Sequence, residues 1–298
     1  MPRRGARASP ADIAVVILTM GDRPAELAAA VTSAQRQRGV STGVVVVANG
    51  VDPDVVQAQL PNERGVRVVA SPSNVGIPAG RNLGARNTTT PLVAFLDDDA
   101  TYVHDGALGR AHRMFAERPQ LGVIALRIVD PSGATLQRWI PRPGRRGAGR
   151  SGPVTSFLGG ACVIRSAALI ETGGFEDQFG YAMEETDLAW RLLDRGWLLH
   201  YDGADGVEHP ATAPTRHAGA IAQTMRNRVW LAHRSLPLPL GAAYILNWLV
   251  ITALRRPGES PQLVGAIRSA WKQRIGPRQP MSWRTVWTLS RLGRPPIV

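Results

Sequence analysis

Four short apolar runs constrain this chain more than any other feature: IAVVILT at 13–19, VVVVA at 44–48, VRVVA at 66–70 and LVAFLD at 92–97. They are rich in β-branched residues, and the first is nearly all apolar, as a strand covered on both faces must be. Helical patterns lie between them. Residues 23–37 open with Pro24 and space Leu27, Val31 and Ala34 at helical intervals, and residues 78–87 also read as helix. Strands alternating with helices predict an α/β fold built on a parallel, doubly wound sheet. Ligands of such sheets gather at the carboxyl ends of the strands, where Thr19, Asn49, Ser71 and Asp97 fall.

Farther along, the pattern predicts a helix at 106–117, a strand at 121–130 and a mobile Gly/Pro/Arg-rich loop at 141–153. A strand follows within 157–165, then a helix at 184–195 closed by Gly196, then a short strand, WLLHYD, at 197–202. After His209 only helices are expected. The predicted organisation is a disordered amino terminus over 1–11, an α/β domain over 12–212 and a basic helical extension over 213–298. A chain of 298 residues that is 44% hydrophobic has enough apolar surface for that core.

Composition removes several function classes. The single cysteine, Cys162, excludes a disulfide framework and a cysteine zinc site, and it fits a reducing compartment. The run at 13–19 is short and is followed by the charged GDRPAEL, so it reads as a buried strand rather than a signal peptide. The expected location is cytoplasmic. The net charge of +12 concentrates late, with nine basic residues and one acidic residue over 255–298. Nucleic acid is a poor match, because aromatics are only 6% and no basic–aromatic platform occurs. Residues 236–254 carry no charge; a helix packed in a hairpin, a peripheral contact with the inner face of a membrane, and a true span all remain open.

The chemistry concentrates in FLDDDA at 95–100, where an apolar strand delivers three carboxylates to one point. Their mutual repulsion needs a cation or a donor-rich ligand. On an extended backbone Asp97 and Asp99 project to one side and Asp98 to the other, so the pair suits Mn²⁺ or Mg²⁺. His209, at a strand end, could complete such a shell. In EETDLAWRLL, Glu184, Asp187 and Arg191 fall on one helical face and read as a self-paired structural set. Glu185 lies about 100° round the helix, on the face of Leu188, Ala189 and Leu192. Burial there would raise its pKa toward neutrality, which suits a general base. NVGIPAGRNLGA at 74–85 places flexible backbone and Arg81 at a helix start that favours anions, and Gly159 and Gly160 permit close approach by a ligand or another segment.

Taken in order, VVILTMGDRP, VVVVANG, NVGIPAGRNLGA, FLDDDA, FLGGACVIR, ETGGFEDQF and EETDLAWRL followed by His209 resemble family 2 glycosyltransferases of the GT-A fold, over roughly residues 13–210. FLDDDA looks like the metal motif of rhamnosyl- and galactofuranosyltransferase-like members. The resemblance implies a Rossmann-like, mostly parallel sheet and an inverting, metal-dependent transfer from a UDP- or dTDP-sugar to a glycan, lipid-linked or small-molecule acceptor. Thr19, Arg23, Asn49, Asn74, Arg81, Asp97 and Asp98 would border the donor. Asp97, Asp99 and His209 would hold the metal, and Glu185 would be the base, at a place where the family has Asp. Gly159, Gly160 and Glu184 would border the acceptor. A non-catalytic nucleotide-sugar-binding module and a sugar nucleotidyltransferase are the rival readings; the latter needs a Gly-rich basic loop after the first strand, where ILTMGDRPAEL has one Gly.

Overall fold

The computed structural model describes residues 11–60, 65–141, 147–211, 220–255, 258, 260–273 and 275–297. The disorder expected over 1–11 falls, Ala11 apart, outside the described residues, as does the stretch 212–219 that contains the expected domain boundary.

The apolar runs are strands, and each puts alternate residues into different cores. β1 (Ile13–Thr19), β2 (Thr42–Asn49), β3 (Val66–Ser71) and β4 (Leu92–Asp97) pair in parallel in the order β3-β2-β1-β4. Ile13, Val15 and Ile17 of β1, with Leu92, Ala94 and Leu96 of β4, face one core, which α1 (Pro24–Gln35) and α4 (Ala107–Glu117) cover. Val16, Val93 and Phe95 face the opposite core, packed against α5 (Ser166–Thr172) and α6 (Glu184–Asp194), with Leu83 and Ala85 of α3 (Gly76–Arg86) at its margin. This two-sided burial is why the β1, β2 and β4 runs carry no polar alternation, whereas β3, at the sheet edge, is half-exposed and carries Arg67.

Beyond β4 the sheet is mixed. β8 (Ala161–Arg165) enters antiparallel to both β4 and β6 (Leu121–Val129), and β9 (Leu198–Glu208) runs parallel to β6. The full order is β3-β2-β1-β4-β8-β6-β9-β5, with β5 (Thr101–Tyr102) at the edge and β7 (Gly152–Pro153) paired to β9.

Several local expectations are corrected. β9 does not stop at 202 but runs eleven residues through DGADG, because its pairing with β6 shifts register between Leu126 and Arg127 and absorbs the extra residues as a bulge. The stretch 147–153, inside the expected mobile loop, is fixed to β9: Tyr201 donates to the Ala148 carbonyl at 2.7 Å, and Gly152 pairs with Tyr201. The remainder of that loop, 142–146, lies outside the described residues. α3 starts at Gly76 rather than Pro78, because Asn74 Oδ1 accepts the Gly76 N–H at 2.9 Å and closes the first turn. The sequence reading also missed α2 (Pro53–Gln59) and α5.

The carboxyl-terminal part is helical: α7 (Ala220–Ser235), α8 (Leu238–Arg255), α9 (Ser260–Lys272) and α10 (Trp283–Arg291). Met225, Val229, Trp230, Leu231 and Leu236 form a third core with Phe179 and Trp190 of the α/β part.

Candidate active site

The sheet topology brings the acidic cluster and the histidine together. Asp97 closes β4, and a turn follows, in which the Ala100 N–H donates to the Asp97 carbonyl at 3.1 Å. β5 then pairs antiparallel with the end of β9, Thr101 opposite Glu208 and Tyr102 opposite Val207. Asp99 lies two residues before that ladder and His209 one residue after it. Ligand atoms of Asp97, Asp99 and His209 consequently lie within 4.8 Å of one another. The expected convergence of Asp97 and Asp99 is thus present, but a turn produces it rather than extended backbone.

Asp98 points elsewhere. It accepts from Thr19 Oγ1 at 2.8 Å and from Arg23 at 3.2 Å, and Arg23 also bridges to Asp99. Burial raises Asp98 to about 6, against the Thr19 hydrogen bond and the Arg23 charge, which favour its ionised form. Thr19 is 2% exposed and also accepts the Gly21 N–H at 3.0 Å, so it anchors this cluster.

His209 is oriented by its backbone and its own ring. Its N–H donates to the Val129 carbonyl at 2.9 Å, and Nδ1 lies 2.7 Å from the Pro210 carbonyl, so Nδ1 carries the proton. That leaves Nε2 facing Asp99 at 3.2 Å and Asp97 at 3.7 Å. Burial opposes the imidazolium, but the two carboxylates outweigh it and raise the His209 pKa. Asp99 moves the other way: its burial is outweighed by His209 and Arg23, and its pKa falls. Two carboxylates and an imidazole with its far nitrogen tied down form a donor set that fits Mn²⁺ or Mg²⁺.

A second cluster adjoins the first, centred on Arg81. Its guanidinium reaches Asp97 at 3.3 Å, Glu184 at 3.6 Å and Glu185 at 3.7 Å while its side chain is only 7% exposed. Burial works against that charge, but the three carboxylates more than offset it and the Arg81 pKa rises. Glu185 Oε1 also accepts the Gly159 N–H at 3.2 Å. Glu184 is corrected in two respects. It does not pair with Asp187 and Arg191, which bond to each other at 2.6 Å, and it is not an open, acceptor-facing carboxylate but is 2% exposed behind Arg81. Burial, with the neighbouring Glu185 charge, raises Glu184 to about 8 despite Arg81.

The two glycines serve these side chains. A Cβ on Gly159 would lie 2.0 Å from Arg81 Nη1, and one on Gly160 would lie 2.0 Å from Asp97 Oδ2. Their bare faces accommodate Arg81 and Asp97, the close approach by another chain segment that the sequence allowed. Asn49, expected to border the donor, is 4% exposed, accepts the Val75 N–H at 3.0 Å and donates to Asn74 at 3.1 Å. It holds the turn into α3, and Asn74 remains exposed beside it.

Sequence reasoning missed two neighbours. Trp139 lies edge-on to His209, ring centroids 6.2 Å apart, on a 3-10 turn at Gln137–Trp139. Ala182 and Met183, immediately before Glu184, adopt φ of 67° and 74°. Left-handed backbone at such residues costs on the order of 1–3 kcal/mol each and persists only where surroundings enforce it. No sequence pattern marks either feature.

A sheet of this order, carrying an acidic cluster and a histidine at its carboxyl edge, has the architecture of the GT-A fold. Solved structures agree: a crystal structure of S. aureus TarS 1-349 in complex with UDP-GlcNAc superposes with a TM-score of 0.61 at 14% identity, covering 87% of this chain and 80% of that one. A structure of GalNAc-T7 with UDP, GalNAc and Mn²⁺ gives a TM-score of 0.60 at 13% identity, covering 80% and 50% respectively. Residues 15–174, more than half of the chain, match glycosyl transferase family 2, and the chain belongs to that family. A pre-mycofactocin glycosyltransferase found in two strains of Mycobacterium tuberculosis is 27% identical over 219 residues, which cover 68% of this chain. The aligned part is 45% of that relative's length, so the chain spans about half of the curated relatives it matches.

Proposed function

We propose that this chain transfers a sugar from a nucleotide-sugar donor, a UDP- or dTDP-sugar, to an acceptor hydroxyl in glycan, cell-envelope or glycoconjugate assembly, with inversion at the anomeric carbon. The observation that carries the reading is the adjacency of two clusters: Asp97, Asp99 and His209 within 4.8 Å, and Glu185 held by Gly159 and Arg81 beside Asp97. A divalent cation held by Asp97, Asp99 and His209 would supply positive charge to a departing diphosphate. Mn²⁺ and UDP in the GalNAc-T7 structure, and UDP-GlcNAc in TarS, support this choice of ligands.

The chain's own residues do the rest. Glu185 takes the proton from the acceptor hydroxyl, whose oxygen forms the new bond to the anomeric carbon. The nucleoside diphosphate leaves from the opposite face with the electron pair of the broken bond. A single displacement of this kind inverts. Glu184, neutral below about 8, lets Asp97 and Glu185 share the Arg81 charge without a third carboxylate competing. Thr19 and Arg23 fix Asp98, so that Asp97 and Asp99 stay turned toward His209. A non-catalytic module would have no use for a carboxylate pinned at Gly159.

We place the enzyme in the cytoplasm, with a peripheral membrane contact through α8 and the basic residues after it. α8 is 18 residues long with a mean hydropathy of 1.4, long and apolar enough to cross a membrane, and 11% of its residues are buried. Leu246, Val250 and Leu254 fall four residues apart along one stripe and are 48–79% exposed. An apolar stripe next to basic charge suits an anionic bilayer surface and a lipid-linked acceptor there.

The test is a panel of UDP- and dTDP-sugars incubated with Mn²⁺ or Mg²⁺, with nucleotide release as the readout. Release that requires the cation and is abolished by EDTA is the expected result. Release of pyrophosphate from a nucleoside triphosphate and a sugar phosphate would indicate a nucleotidyltransferase instead.

A further inference from the structure

Asn227, on α7, lies far from the acidic clusters in sequence and outside the stretch matched by the family. It is fully buried, and its amide nitrogen lies 3.0, 2.7 and 2.8 Å from the carbonyls of Phe179, Tyr181 and Ala182. Three acceptors thus converge on one NH₂ group. Its Oδ1 accepts from Arg226 Nε and Nη2 at 3.1 and 3.0 Å, which fixes the amide's orientation, while that guanidinium stacks 4.3 Å over the Trp230 ring.

The carbonyls that Asn227 gathers belong to the backbone leading into Glu184 and Glu185. Ala182 and Met183 are the only non-glycine residues with positive φ among those described. They reverse the chain between the short helical turn at Asp177–Phe179 and α6, so that the first residues of α6 face Arg81. The Phe179 carbonyl also accepts from the Tyr181 N–H at 2.7 Å and from Gln223 at 3.4 Å; Asn227 ties it to the Tyr181 and Ala182 carbonyls through one side chain, and so holds the left-handed backbone from outside the segment. The other side of the same segment is tied to α3: Asn82 donates to the Phe175 carbonyl and to Asp177, both at 2.7 Å, and the Ile77 N–H donates to Gly180 at 3.1 Å. Farther along α7, Arg234 pairs with Glu176 and approaches Asp187 at 3.4 Å.

We propose that Asn227 is a positioning residue for sugar transfer: from the carboxyl-terminal helices it clamps backbone 179–182 in the conformation that aims Glu185 at Gly159 and Arg81. The inference rests on the reading of Glu185 as the base. It makes the helical extension part of the catalytic apparatus rather than an appendage.

The test combines hydrogen exchange with a double-mutant cycle. In Asn227→Ala, amide exchange over 180–187 should accelerate at least about tenfold while β1 and β4 stay protected. With the sugar nucleotide that gives the highest Mn²⁺-dependent release in the wild type, kcat should fall about 10²-fold at little changed KM. Asn227→Ala added to Glu185→Gln should cost almost nothing more, because the clamp acts through that carboxylate. Should Asn227→Ala fail to fold, Asn227→Ser retains a single donor and should show the same pattern at smaller size. Unchanged exchange over 180–187, or full additivity with Glu185→Gln, would overturn the clamp. Full activity of Glu185→Gln alone would instead overturn the base assignment, whatever Asn227 does.

Discussion

Glu184 and Glu185 are neighbours with different surroundings, and single substitutions separate them. Glu184 is fully enclosed and rises from 4.5 to about 8, because burial and the adjacent carboxylate outweigh Arg81. A folded-state pKa above the unfolded one means that the native protein holds a proton that the unfolded chain has lost. The associated stability is complete below about 4.5 and is lost as pH rises through about 8. Glu184→Gln removes that dependence. Thermal melts should show the variant matching wild type near pH 4.5 and gaining on it above, by roughly 1 kcal/mol per pH unit through the window. A variant less stable than wild type at pH 8 would mean that Glu184 is ionised and paired. Gly160 gives a second test at this scale. A Cβ there would displace the Asp97 carboxylate, the free end of a side chain, so Gly160→Ala should lower stability only slightly. Mn²⁺ binding by calorimetry should fall at least tenfold, and wild-type affinity would argue against Asp97 as a ligand.

At the scale of elements, the site depends on strands meeting at one edge. β4 delivers Asp97, the turn after it delivers Asp99, and the β5–β9 ladder brings His209 alongside. Asp99→Asn should abolish Mn²⁺-dependent UDP binding with the fold intact, and His209→Ala should weaken it less, both read by calorimetry. Equal binding with and without metal in the wild type would refute the cluster. Much of this was legible in sequence. Runs apolar on both faces gave the strands 13–19 and 92–97 with their observed bounds. DDD at a strand end and a His just after a strand pointed to the cluster of Asp97, Asp99 and His209. Other parts were not legible, for physical reasons. DGADG has turn composition, and only pairing to β6 makes it strand. The pattern EETD does not say how far the helix is rotated, and the αL pair at 182–183 sets that rotation from outside the helix. Asn49 and Asn227 look like ordinary polar residues until distant backbone closes on them.

For the whole molecule, the third core joins the carboxyl-terminal helices to Phe179 and Trp190, so the helices are continuous with the part that holds the site. Their outer face is a different matter: α8 buries only Gly241 and Tyr244 and leaves its leucine stripe open. Flotation with anionic vesicles should carry the protein upward at low salt, and Leu246→Glu with Leu254→Glu should abolish it without lowering the melting temperature. Wild-type protein that remains at the bottom would favour a soluble acceptor.

The proposed sugar transfer comes down to one carboxylate, Glu185, beside the Asp97, Asp99 and His209 cluster. In Glu185→Gln the amide keeps size and shape and cannot accept a proton, while Asp97, Asp99 and His209 are untouched. Calorimetry should give near-wild-type Mn²⁺-dependent UDP affinity, and transfer from the best nucleotide sugar should drop about 10²–10⁴-fold in the same preparation. Transfer at the wild-type rate, or a loss matched by an equal loss of UDP binding, would contradict the assignment of Glu185 as the base.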